Sequence, residues 1–222
     1  MSNVVITGAN RGIGLALARR FHDRGDHVVG ICRESSDELD ELGVRVESGI
    51  EVTDGEALAE LARRLGDTPI DILVNNAGVM RSTDFENLED RLDDFRLQFE
   101  VNALGPLRVT RALAGQLRDG GKVAIITSRM GSIGDNTSGG SYGYRMSKAA
   151  VNAGGVSLAH ELEPRDIAVA LLHPGYVKTG MTNQSGHVAP DEAAEGLVAR
   201  IDELDMASTG CFRHANGDEL PW

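Results

Sequence analysis

The chain has 222 residues, 41% of them apolar and 25% charged, with 27 glycines and a formal charge of −12. That length suits one domain with a sizeable core, and the mix excludes disordered, collagenous and coiled-coil chains. The negative surface repels phosphate backbones and anionic lipid, so neither nucleic acid nor a membrane is an expected partner.

Cys32 and Cys211 stand far apart and outside any CxxC spacing, which leaves no disulfide scaffold and no thiolate metal site. The histidines show no HxxxH or HExxH spacing, and no metal is expected. The first apolar run, Val4-Val5-Ile6, starts too early for a signal peptide, and the other runs fall short of the ~20 residues of a membrane helix. A cytoplasmic location is therefore expected.

Along the chain, short β-branched runs alternate with helical patterns. Strands are expected at 4–7, 27–32, 44–46, 70–75, 122–127 and 167–173, with a weaker one at 211–214. Helices are expected at 13–24, 36–42, 54–65, 88–117, 144–163 and 191–204. In the third of these, Asp54 reads as an N-cap ahead of a stripe of Ala57, Leu58, Leu61 and Leu65. The alternation predicts an α/β fold: one Rossmann domain spanning 1–222, with a doubly wound parallel sheet of about seven strands.

The first strand runs into Thr7-Gly8-Ala9-Asn10-Arg11-Gly12-Ile13-Gly14 and then a helix. Glycines let the backbone approach a pyrophosphate, and the helix start offers unpaired N–H donors, so Gly8, Asn10, Arg11, Gly12, Ile13 and Gly14 are candidate dinucleotide contacts. The spacing is GxxxGxG. Further on, Tyr144 and Lys148 lie four apart at a helix start and share a face. A phenol ionises near 10, and a neighbouring ammonium would stabilise its phenolate. Tyr142 has only Met146 four residues on. Ser128 stands at a strand's carboxyl end, where doubly wound sheets place their chemistry.

Taken in order, the glycine loop, Asn75-Asn76-Ala77-Gly78, Asn102, Ser128, Tyr144-Arg145-Met146-Ser147-Lys148 and Pro174-Gly175 resemble the short-chain dehydrogenase/reductase family, from Val4 to about Thr179. Within it, the YRMSKAA stretch and the closing Gly217-Asp218-Glu219-Leu220-Pro221-Trp222 resemble the C-factor-like and carbonyl reductase-like branch. The resemblance implies hydride transfer between a nicotinamide and a small carbonyl or secondary alcohol, with Tyr144 as acid/base. Ser128 would bind the substrate oxygen, and Asn102 would hold a helix bend and a water leading to Lys148. It also implies cofactor contacts from Glu51, Val52, Asn76, Ala77, Gly78, Tyr144, Lys148, Pro174, Gly175, Val177 and Thr179. Residues 180–189 would form a short substrate loop. The stretch from Ser128 to Tyr144 is longer than in many members and glycine-rich.

Cofactor choice turns on Arg33, which follows the second strand. Arg33 and Arg11 would favour the 2′-phosphate of NADP, while Glu34 could serve an NAD ribose; two cations against one acid favour NADP over NAD. A sensor or signalling protein of C-factor type with little turnover is the alternative, and a nucleotide-sugar epimerase or dehydratase is a third. A homodimer or homotetramer through helices 88–117 and 144–163 is expected by resemblance, although the second helix's small residues could equally pack on the protein's own sheet. Trp222 is expected either to dock on an apolar surface or to fray. Among 22 basic residues only Lys122, Lys148 and Lys178 are lysines, against 34 acids. A salt-rich cytoplasm and a GC-rich genome both explain that bias.

Overall fold

Aliphatic runs too apolar to face water pair side by side and are covered on both faces by helices. The computed structural model describes residues 1–222. Strands β1 (Asn3–Thr7), β2 (His27–Ile31), β3 (Arg45–Glu47), β4 (Ile70–Asn75), β5 (Leu117–Ile126), β6 (Ala168–His173) and β7 (Cys211–His214) form one sheet in the order β3-β2-β1-β4-β5-β6-β7. Every pair is parallel; Val5 lies between Val29 of β2 and Leu73 of β4. The strand order reverses between β1 and β4, which opens a crevice at the carboxyl ends there.

Helices α1 (Gly12–Asp23), α2 (Asp37–Asp40) and α7 (Pro190–Glu203) cover one face. Leu17, Phe21, Leu39, Leu197 and Ile201 from these helices bury against Val4, Ile6 and Val74. The other face takes α3 (Gly55–Leu65), α4 (Leu92–Phe99), α5 (Gly105–Ala112) and α6 (Tyr142–Leu162). Asp54 caps α3 as expected, its carboxylate accepting from the N–H groups of Glu56 and Ala57. Leu58, Leu61 and Leu65 then bury on Val5, Leu73 and Ile125, each contributing about 1.5–3 kcal/mol.

Three expected elements differ. The continuous helix expected at 88–117 is a 3₁₀ turn, α4, a π-helical turn over Glu100–Leu104, and α5. Pro106 has no N–H to donate four residues back, and the turn widens so that Gly105 N–H reaches Glu100 O. Strand β5 begins five residues earlier than expected: Ile70 pairs with Leu117 and Ile72 with Lys122, so residues 118–121 bulge out. Helix α6 starts at Tyr142 rather than Tyr144, after Ser141 in the left-handed region at φ 48°.

The small residues of α6 have intramolecular uses. A Cβ on Gly154 would stand 3.3 Å from Leu107, and one on Gly155 would stand 2.7 Å from Leu171. The tail folds back so that Trp222 lies 5.3 Å, ring to ring, from Phe212, and its backbone oxygen accepts from Gly134 N–H. No helix is long and apolar enough to cross a membrane.

Candidate active site

At the crevice, the chain must turn from β1 into α1 within a few residues, and glycine makes that possible. Gly8 sits at φ 66°, and a Cβ on Gly14 would lie 2.1 Å from Gly8 O. The first turn of α1 has no side-chain cap and no acidic residue, so its free N–H groups and positive end face outward. This cradle, which any Cβ would fill, fits the pyrophosphate of a dinucleotide. Asn10 is tied by its carbonyl to Ser36 Oγ at 2.8 Å, and Arg11 is exposed at the N-cap of α1. Ile13 is half-buried and packs against the core.

The loop is held from β4. Thr7 Oγ1 accepts from the N–H groups of Asn76 and Ala77, each at 3.0 Å, while Asn76 Nδ2 donates to the carbonyls of Thr7 and Gly8. Gly78 lies beside Asn102 Oδ1 and Lys148 Nζ. After β6, Pro174 and Gly175 turn the chain, Gly175 at φ 89°, and Val177 is buried. Thr179 then reaches the glycine loop: a Cβ on Gly12 would stand 3.3 Å from its methyl.

Four polar side chains meet next to this cradle, all nearly buried: Asn102, Ser128, Tyr144 and Lys148. Ser128 Oγ accepts from Met130 N–H at 3.1 Å, and its hydroxyl lies close enough to the Tyr144 phenol to favour the ionised form. Lys148 Nζ donates to Ile126 O at 2.9 Å and stands 5.8 Å from the Tyr144 ring centroid. Asn102 occupies the π-helical turn, accepts from Val79 N–H and donates to Val79 O and Ser147 Oγ. It thereby ties the segment after β4, at Val79, to the α6 turn between Tyr144 and Lys148. The expected lowering of the phenol by the ammonium is not what this geometry gives. Burial pushes Tyr144 up to about 12, opposed by the nearby Ser128 hydroxyl. Burial likewise pushes Lys148 down to about 8. His173, which ends β6, is pushed down to about 3 by burial, with His214 and Arg129 acting the same way. Tyr142 is partly exposed beside Phe85 and takes no part.

Beyond β2, Arg33 and Glu51 form an open ion pair at 3.9 Å. Glu34 is exposed next to them. Val52 is buried against Gly105, so packing accounts for its side chain. The sequence reading missed Thr7, whose partners lie 69 and 70 residues away. It also missed Thr127 and Asn152, whose hydroxyl and amide meet at 2.7 Å, Thr127 directly preceding Ser128. Nothing local marks these residues, because each depends on a distant partner.

The family model for short chain dehydrogenase matches residues 2–189. Over the full length of both chains, the protein is 41% identical to 1-hydroxy-2-glutathionyl-2-methyl-3-butene dehydrogenase of Rhodococcus sp. strain AD45. It is 43% identical to C-signal of Myxococcus xanthus across 69% of this chain and 93% of that one. Among solved structures, the NADPH-bound carbonyl reductase from chicken fatty liver superposes with a TM-score of 0.89 at 28% identity, covering 100% of this chain and 99% of that one. With the ordered motifs, the parallel sheet and the crevice geometry, these matches make the chain a member of the short-chain dehydrogenase/reductase family of oxidoreductases.

Proposed function

We propose that the protein is an NADP(H)-dependent carbonyl reductase, interconverting a small aldehyde or ketone with the corresponding alcohol. The observation that carries this reading is the buried Ser128–Tyr144 hydroxyl pair with Lys148 behind it, next to a phosphate-sized glycine cradle. A module that only bound a dinucleotide would have no use for two buried hydroxyls and an ammonium beside the cradle.

NADPH, when bound, supplies the hydride for the carbonyl carbon. The chain does the rest. The buried hydroxyls of Ser128 and Tyr144 would hold the substrate oxygen, where negative charge develops. Tyr144, a neutral phenol across the physiological range, gives its proton to that oxygen. Lys148, charged below about pH 8, stabilises the phenolate left behind. Asn102 holds Val79 and Ser147, and so keeps Gly78 beside Lys148. In the reverse direction the same groups remove a proton from an alcohol.

On the nucleotide side, Gly8, Asn10, Gly12, Ile13 and Gly14 would hold the pyrophosphate, and Thr179 the carboxamide. Asn76, Ala77 and Gly78 would back the ribose and ring. Arg33 and Arg11 stand at the carboxyl ends of β2 and β1, where a 2′-phosphate would sit, and an NADPH-bound neighbour supports the same preference. Glu51 holds Arg33 only at 3.9 Å and with both groups exposed, so the arginine can exchange that partner for a phosphate. Residues 180–189, short and mostly exposed, would form the outer wall of the substrate site. Substrates are small organic carbonyls or alcohols. A relative that acts on a glutathione-bearing alcohol makes such conjugates worth including.

The test is a panel of aldehydes, ketones, quinones and glutathionyl alcohols assayed with NADPH, NADH, NADP and NAD. Turnover of at least one carbonyl, more efficient with NADPH than with NADH, is expected. No turnover by a folded, NADPH-binding protein would overturn the enzyme reading. Equal or better efficiency with NADH would overturn the cofactor assignment.

A further inference from the structure

Strand β5 delivers Ser128, and helix α6 delivers Tyr144 and Lys148, so catalysis depends on how these two elements are spaced. Two bonds join them directly behind the hydroxyl pair. Lys148 Nζ donates to Ile126 O at 2.9 Å, and Thr127 Oγ1 donates to Asn152 Oδ1 at 2.7 Å. Ile126, the last residue of β5, and Thr127, which follows it, are thus bonded to α6 residues one turn apart on one face. Thr127 directly precedes Ser128, and its own N–H is fixed to Leu172 O on β6. Thr127 and Asn152 are 2% and 3% exposed, so no water competes for this bond.

Asn152 Nδ2 has no partner among the protein's own atoms. Burying a half-satisfied amide is unfavourable, and an aliphatic side chain of the same shape would fill the site without that cost. The amide stands at the one turn of α6 that faces the residue before Ser128. Its use is to pin that residue.

We propose that Asn152 and Thr127 are positioning residues, a buried clamp that sets the separation between Ser128 and the Tyr144–Lys148 pair. The inference rests on the reading that these three groups carry the reaction. It adds two residues that touch neither substrate nor cofactor. Releasing the clamp lets the end of β5 and the start of α6 part, admits water to Lys148 and misaligns the two hydroxyls. A misplacement of about 1 Å at such a pair can cost roughly 100-fold in rate.

The test uses Thr127→Ser, Thr127→Val and the double variant T127V/N152L, in which both polar partners become apolar groups of similar shape and stability stays close to the parent. The first readout is steady-state reduction of whichever carbonyl the parent accepts. The second, independent of turnover, is the titration of the Lys148 Cε resonance in lysine-labelled protein, which has only Lys122 and Lys178 besides. The titratable side chains facing Lys148 are Tyr144 and His173, and all variants leave both in place. The double variant should lose at least tenfold in kcat, with NADPH affinity within threefold, and Lys148 should titrate at least half a unit higher as water enters. Thr127→Ser should stay within threefold of the parent. A folded double variant with kcat within twofold and an unmoved Lys148 titration overturns the clamp. If the double variant does not fold, Thr127→Val decides on the same two readouts. If the parent reduces no carbonyl, the functional reading fails separately, and the Lys148 titration alone decides the clamp.

Discussion

The two halves of the crevice are built by different means. Around β1 and α1 the shape is backbone: Gly14 leaves no room for a Cβ, and the bare first turn of α1 supplies the polar groups. Around β5 and α6 the shape is side chain: Asn102 bonds Ser147, Thr127 bonds Asn152 and Lys148 bonds the Ile126 carbonyl, each joining residues distant in sequence. Sterics therefore govern failure in the first half, and lost polar partners govern failure in the second. The nucleotide side should tolerate no added volume, while the catalytic side should tolerate volume changes better than the loss of a donor or acceptor.

That contrast can be broken most severely at Gly14. A Gly14→Ala side chain would press on Gly8 O and Asn76 Nδ2, forcing the loop open. NADPH affinity should fall by at least about 100-fold in fluorescence titration, the scale of several lost charge-assisted contacts at a helix start. Affinity within threefold would mean that the loop is not the pyrophosphate site. Thr7→Val gives the intermediate case, because it keeps the volume and removes the acceptor of two N–H groups. Leaving them unpaired costs roughly 1–3 kcal/mol and should weaken NADPH binding by about tenfold with kcat nearly unchanged. Arg33→Ala sharpens the picture at the nucleotide's far end. It should lower the NADPH/NADH efficiency ratio about tenfold, through KM rather than kcat.

The smallest effect is on the pH dependence of stability. Lys148 is pushed down by burial to about 8, so between about pH 8 and the unfolded value of 10.5 the unfolded chain binds more protons than the folded one. Its contribution makes stability rise with pH across that window, with a slope of at most about 1.4 kcal/mol per unit. Tyr144 is pushed up to about 12, so its contribution falls as pH rises from 10 towards 12. His173, pushed down to about 3, adds stability above about pH 6.5 that is lost as pH falls towards 3. Urea unfolding of Lys148→Met should show a flatter profile from pH 8 to 10 than the parent, and an identical profile would contradict the burial assigned to that amine.

What was legible in the sequence follows the same division. The glycine loop, the Tyr144–Lys148 pair and most strand positions are written in local patterns: spacing, a period of two or 3.6, a cap. The helix expected over 88–117 fails because apolar periodicity is blind to the π-helical turn that Pro106 favours at Asn102. The bulge at residues 118–121 depends on how β5 meets β4, and that pairing has no local signature. Thr7, Thr127 and Asn152 look like ordinary polar residues until the fold brings their partners. The expectation that Lys148 lowers the Tyr144 phenol overlooked the dry surroundings of both groups, where desolvation outweighs a cation whose ammonium is bonded to Ile126 O.

In the proposed reaction the Tyr144 phenol supplies the proton beside a separately built nucleotide cradle. The most direct test of that role is Tyr144→Phe, which removes one oxygen and leaves the volume and the glycine loop intact. NADPH affinity and steady-state carbonyl reduction are measured on the same preparation. Affinity should stay within threefold of the parent and kcat should fall by roughly 10²–10⁴, the range typical of a lost general acid. A Tyr144→Phe variant that binds NADPH normally and keeps more than a tenth of the parent's kcat would contradict that role.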